Sequence, residues 1–219
     1  MGSMPQHPPT RYSPTDPAGL AALCADACLT LPGRVAVGVD GADPAHPDAL
    51  AETIAELLRV RGRPAAVVRV VDFITPASLR LERGAHDEES FGTSWYDFAA
   101  ISREVVDALH TQQRWLPRLW DSVSDRSFRD QRRDAADNQV ILIAGPMAVR
   151  KDLQLDLGIA LRMSAAALRR GLPADDHWTI GVLLEHQTHS PEPDIEVRYD
   201  HPDRPAVALS CRVRPAPRR

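Results

Sequence analysis

Residues 38–48 hold the densest set of groups able to do chemistry in this 219-residue chain: Gly38, Asp40, Gly41, Asp43, His46 and Asp48. They follow the short apolar run Arg34 to Val39 and precede the amphipathic stretch 48–61, with Leu50, Ile54, Leu57 and Leu58 at helical spacing. A turn from strand to helix is a ready anion site, because the first helical amides are free and the helix dipole points positive there. A working phosphate loop reads G-x-x-x-x-G-K-[ST]; its amides cradle phosphate, its lysine offsets charge and its hydroxyl holds magnesium. Here Pro44, His46, Pro47 and Asp48 occupy the corresponding core of the loop. Each proline removes an N–H and fixes φ. Asp43 is expected to cap a helix that starts at Pro44, with Asp48 in an early turn, so that the chain fills its own anion site with carboxylates.

The segment resembles the G-(I/V)-D-G-x-D-G-A-G-K-T-T-(L/F)-A-(D/E) turn of bacterial uridine kinase-like proteins. Gly38, Asp40, Gly41 and Asp43 match its first half, and Leu50, Ala51 and Glu52 match the helix that follows. Val71-Asp72-Phe73-Ile74-Thr75-Pro76 is similar to that family's D-D-F-H-R-P. The resemblance places the base that takes the sugar proton on Val71, which accepts none, and leaves Asp72 as its surviving neighbour. Gly84, Glu89, Phe91, Asp97 and Phe98 fit the next family stretch. The resemblance thus implies nucleoside contacts from Phe73, Phe91, Tyr96 and Asp97. Val140 to Pro146 is similar to V-L-L-V-D-G-P/V, with Ala144 where an acidic residue helps position magnesium. Arg169-Arg170 with Trp178-Thr179 resembles the lid whose arginines reach the transferring phosphate.

The resemblance implies an α/β fold: a three-layer parallel sheet with helices on both faces, P-loop kinase-like. The departures from the family pattern imply a non-phosphorylating pseudokinase with a binding or regulatory role and no cofactor. The alternative is an active ATP- and magnesium-dependent uridine or cytidine kinase, with arginines such as Arg169 and Arg170 replacing the loop lysine and Asp72 as candidate base. Arginine clamps phosphate bidentately, which keeps that alternative open. A third reading reuses the sheet-end cleft for another activity, with Asp40, Asp72 and His46 as polar groups.

Other groups read as structural. His177, His186 and His189 match no metal-ligand spacing and are expected in solvated loops. Trp115 and Trp120 are expected to pack, and the arginine-rich stretch 126–133 is interrupted by Asp130. Cys24 and Cys28, four apart on a helix, read as small buried hydrophobes. Lys151 is the single lysine among 26 basic residues.

The elements that must position the turn alternate: a helix over 17–31, the strand before the turn, the helix 48–61, a strand Ala65 to Phe73, irregular 77–94, and a helix 97–110. After an unpatterned 111–138 come a strand Val140 to Ala144, a second at Leu155 to Leu161, a short helix Ala165 to Arg170 and a late strand Ile195 to Tyr199. Such alternation predicts a parallel sheet covered by helices, with ligands beyond the carboxyl ends of its strands. Residues 1–16 are expected to be unstructured, 17–209 to form one domain, and 210–219 to be a basic Pro/Arg tail. The net charge of −4 gives no case for nucleic acid. No run of 18 apolar residues argues for a membrane span, so a cytoplasmic location is expected. The partner is expected to be a small molecule or a protein, and a homodimer stays open.

Overall fold

A computed structural model describes residues 11–210. The expectations for residues 1–10 and for 211–219 lie outside that range. The helix α1 (Pro17–Thr30) starts where Asp16 accepts a hydrogen bond from the Gly19 amide at 2.7 Å, with Pro17 in the first turn. Cys24 and Cys28 are buried in it as free thiols, and burial pushes Cys28 up to about 12. Its C-terminal carbonyls find a partner no periodicity reveals. The guanidinium of Arg63, 6% exposed, donates to Cys28 O at 2.6 Å, Leu31 O at 2.8 Å and Gly33 O at 2.9 Å.

Strand β2 (Val35–Asp40) is buried at all six positions. It leads through the turn to α2 (Pro47–Val60), whose Leu50, Ile54 and Leu58 enter the core. Strand β3 (Ala65–Arg69) ends sooner than the apolar run suggests. Val70–Asp72 form a 3-10 turn instead, closed by the salt bridge from Arg69 to Asp72. The expected irregular stretch contains two short helices, α3 (Ala77–Arg80) and α4 (Glu88–Thr93). Asp97 caps the next helical segment through the Ala100 amide at 2.7 Å. That segment runs as α5 (Phe98–Ile101), a wider π-type stretch Ser102–Asp107, and α6 (Ala108–Thr111).

Residues 111–138 contain two minimal ribbons: β4 (Arg114–Trp115) with β7 (Arg133–Asp134), and β5 (Trp120–Asp121) with β6 (Arg126–Ser127). The central strand β8 (Val140–Gly145) follows, then β9 (Leu157–Arg162), α7 (Ala165–Gly171), α8 (Ile180–His189), β10 (Ile195–Arg198) and β11 (Ala206–Leu209). Helix α8 and strand β11 are both additions to the expected element list. Ser13–Pro14 form β1 and pair antiparallel with β11, so the N-terminal segment is ordered from this edge onward rather than unstructured. An edge strand presents unpaired amides and carbonyls that recruit such a segment.

The sheet order is β1-β11-β10-β9-β2-β8-β3. The five strands β10, β9, β2, β8 and β3 are mutually parallel; β11 and β1 add antiparallel. Complete burial of β2 and β8, whose side chains alternate between faces, requires cover on both sides of the sheet. This is the mostly parallel α/β architecture expected from the alternation of elements. After β2 the chain builds toward β8 and β3, then crosses to β9 and β10 on the other side. The reversal opens a crevice beyond the carboxyl end of β2, at Asp40.

Candidate functional site

Asp40, the last residue of β2, is 4% exposed. The Nε2 of His186 lies 2.7 Å from its Oδ2, and Arg162 Nη1 lies 3.9 Å from the same oxygen. Arg162, at the end of β9, also donates to Ser190 Oγ at 2.9 Å and stands 3.9 Å from Glu196. Tyr12 donates to that glutamate, and its ring lies 3.9 Å from the Arg198 guanidinium. His186 is therefore not in a loop, and its side chain is largely enclosed, 14% exposed. It rides on α8, a helix not expected from the sequence pattern, because Ile180 and Leu183 bury one face of the segment and turn His186 toward the sheet end. His189 is exposed, its Nδ1 3.0 Å from Glu185 O, and His177 Nε2 sits 3.3 Å from Leu172 O.

The turn after β2 differs from the expected cap. Asp43–Ala45 form a separate 3-10 turn, and α2 starts at Pro47 with His46 as its N-cap in the left-handed region, at φ 48°. Neither Asp43 nor His46 makes a side-chain cap bond to α2. The amides of Ala45 and His46 are spent within the turn, on Ala42 O at 2.8 Å and Asp43 O at 2.9 Å. Pro44 and Pro47 have none to offer. Asp43 keeps contact with solvent, yet the protein crowded around its carboxyl raises it; Asp48 and then Asp176 add to the rise, and His46 opposes it.

Beyond β3, Arg69 holds Asp72 with two bonds, Nε to Oδ2 at 2.9 Å and Nη2 to Oδ1 at 2.8 Å. The hydrogen bond to Asp72 raises Arg69 further above its already high value. Phe73 is fully enclosed in the core, Val71 lies at the surface, and Ala144 is buried inside β8. Arg169 and Arg170 end α7 exposed, and neither forms an ion pair among the described residues. The same helix closes against the turn. A Cβ on Gly171 would meet Pro44 Cβ at 2.5 Å.

Two hollows flank this end of the sheet. One, about 610 Å³, is bordered by Glu88, Glu89, Met147, Arg150 and His186. The other, about 120 Å³, lies between Asp43, Phe91, Trp95, Tyr96, Asp176 and Trp178. Phe91 and Tyr96, singled out from sequence, thus meet Asp43 in one hollow. Asp97 instead caps α5, and Phe73 packs inside. Trp178 entered the sequence reading only as part of the lid resemblance, and Trp95 and Asp176 not as site residues at all; their convergence in space marks the three together. Among the described residues no group of three or more His, Cys, Asp or Glu could hold a metal ion, and no helix is long and apolar enough to cross a membrane.

No family model and no curated protein matches the chain by sequence. Solved structures do match. A protein described as a possible uridine kinase from Bacillus stearothermophilus superposes with TM-score 0.60 at 18% identity, over 78% of this chain and 94% of that one. A proposed fructose transport system kinase from Silicibacter sp. TM1040 gives 0.64 at 20% identity, over 83% and 98%. The YGR205w protein gives 0.60 at 9% identity, over 90% and 99%. At such identities the likeness establishes architecture, and that architecture agrees with the fold implied by the resemblance read from the turn at 38–48: the chain has a P-loop kinase-like fold.

Proposed function

We propose that this chain is a non-phosphorylating protein on a kinase fold, with a binding or regulatory role. The observation that carries the reading is the turn 43–48. Its amides are absent at two prolines and consumed at Ala45 and His46, and carboxylates stand at Asp43 and Asp48. A triphosphate with magnesium needs free amides, a lysine and a hydroxyl there, and these residues do not fit that group. The candidate base fares no better, since Arg69 occupies both oxygens of Asp72. Phosphoryl transfer depends on positioning and electrostatic stabilisation, and loss of one such group commonly costs ~10²–10³ in rate.

Calorimetry with ATP, with and without magnesium, tests the reading, together with ATP-dependent phosphorylation of uridine and cytidine. The expected result is no saturable heat at millimolar nucleotide and product at background. The competing reading, an active nucleoside kinase, draws on Arg169 and Arg170, exposed and without an ion pair among the described residues, on the helix whose Gly171 approaches Pro44. Saturable Mg·ATP binding with phosphorylated product, both lost in Arg169→Ala/Arg170→Ala, would establish it instead.

A further inference from the structure

We propose that the small aromatic hollow beside the turn binds an organic cation of the alkylammonium class. The inference rests on the reading that this end of the sheet binds a ligand without phosphoryl transfer, and it names the ligand's chemistry. Four rings line the hollow. Phe91 and Trp178 stand 5.5 Å apart between centroids, Trp95 and Trp178 5.6 Å, Phe91 and Trp95 5.3 Å, and Phe91 and Tyr96 6.2 Å. Ring faces carry negative potential, and tryptophan attracts cations most strongly.

Two carboxylates, Asp43 and Asp176, border the same space. Neither is in an ion pair among the described residues. Both act on Tyr96, whose phenol is pushed up first by burial, then by Asp43, with Asp176 adding and Arg80 opposing. Asp43 feels Asp176 directly. His46 opposes the rise at Asp43 and Arg80 the rise at Tyr96, but among the described residues neither forms an ion pair with Asp43 or Asp176. An anion such as a nucleotide phosphate meets repulsion here, whereas a cation meets attraction from rings and carboxylates together.

Size narrows the class. The hollow measures about 120 Å³, below the roughly 300 Å³ at which pockets for drug-sized ligands begin. That space suits a head group of a few heavy atoms rather than a nucleoside. The buried indole Nε1 of Trp95 has no hydrogen-bond partner among the described residues, so its N–H also offers a reporter in the wall.

The full chain, with ¹⁵N-labelled tryptophan, is titrated with tetramethylammonium chloride and choline chloride, against sodium chloride at equal ionic strength. Trp95→Phe and Trp178→Phe assign the indole signals. The expected result is a saturable shift of the Trp95 and Trp178 signals, with Trp115 and Trp120 unmoved. Asp43→Asn/Asp176→Asn is expected to weaken binding about ten-fold while retaining a cooperative thermal transition. Indole signals that follow only ionic strength would overturn the proposal, as would a double variant that binds as tightly as the wild type. Uridine shifting these indoles where the ammonium probes do not would also overturn it. Phosphorylation of a nucleoside would overturn the pseudokinase reading and leave cation binding standing. Failure of cation binding, with ATP also unbound, would overturn this inference alone.

Discussion

His186 Nε2 stands 2.7 Å from Asp40 Oδ2, joining two residues 146 positions apart. The contact fastens α8 to the carboxyl end of the central strand and supplies a partner for a carboxylate that is otherwise shut away from water. Arg162, at 3.9 Å, is too distant to replace it.

Removing that partner leaves a buried charge short of a hydrogen bond, at a cost of about 2–3 kcal/mol. His186→Ala is therefore expected to lower the urea midpoint with the slope unchanged. His186→Gln, which keeps a donor, is expected to recover part of the loss. A midpoint for His186→Ala equal to the wild type would show that Asp40 finds other partners.

Rewriting the turn is the complementary experiment. Pro44→Gly, His46→Gly, Pro47→Lys and Asp48→Thr together restore amides, a lysine and a hydroxyl, and glycine suits the left-handed backbone at residue 46. The quadruple variant is expected to gain saturable Mg·ATP binding by calorimetry. Its failure would place the obstacle outside the turn.

Gly171 and Pro44 are coupled by space. Gly171 has no left-handed backbone, so Gly171→Ala is opposed by the Pro44 ring, whose Cβ would lie at 2.5 Å and Cγ at 3.0 Å. The overpacking is expected to cost about 1–3 kcal/mol in denaturant unfolding. In Gly171→Ala/Pro44→Gly the obstructing atom is gone, and the two effects are expected to fall short of additivity. Strict additivity would mean that α7 does not seat on the turn.

Asp43 predicts a pH dependence. Its folded carboxyl is raised above the ordinary 3.8, so the folded state holds the proton more tightly than the unfolded one. As pH rises from 3.8 the unfolded chain ionises first and stability falls, until the folded group ionises too. Above that window the charge is a net liability. Asp43→Asn is expected to melt above the wild type at neutral pH, with the gap closing below the ordinary carboxyl range. A gap that is constant with pH would remove the Asp43 charge as its cause.

Much of this architecture was legible from periodicity. The apolar runs at β2, β3, β8 and β9 and the amphipathic stripe of α2 are local patterns, and burial enforces them. Elements whose stability comes from partners were harder. Helix α8 buries only Ile180 and Leu183 of its ten residues. Strand β11 and the N-terminal β1 exist because each completes the other's ladder at the sheet edge. The helix start was displaced from Pro44 to Pro47 because His46 adopts a left-handed conformation that composition does not announce.

By itself the sequence determined the alternation of α1, β2, α2, β3, β8 and β9 and the prolines and carboxylates of the turn. It also determined the resemblance that named the fold, since these depend on residues adjacent in the chain. Only the tertiary structure decided what the site residues do for one another. It gave Asp40 to His186 and Pro44 to Gly171, and it brought Phe91, Trp95, Tyr96 and Trp178 around one hollow with Asp43 and Asp176. The reason is physical: hydrogen bonds, charge repulsion and packing act over a few ångströms, and the crossing of the chain over β2 sets which distant residues come within that range.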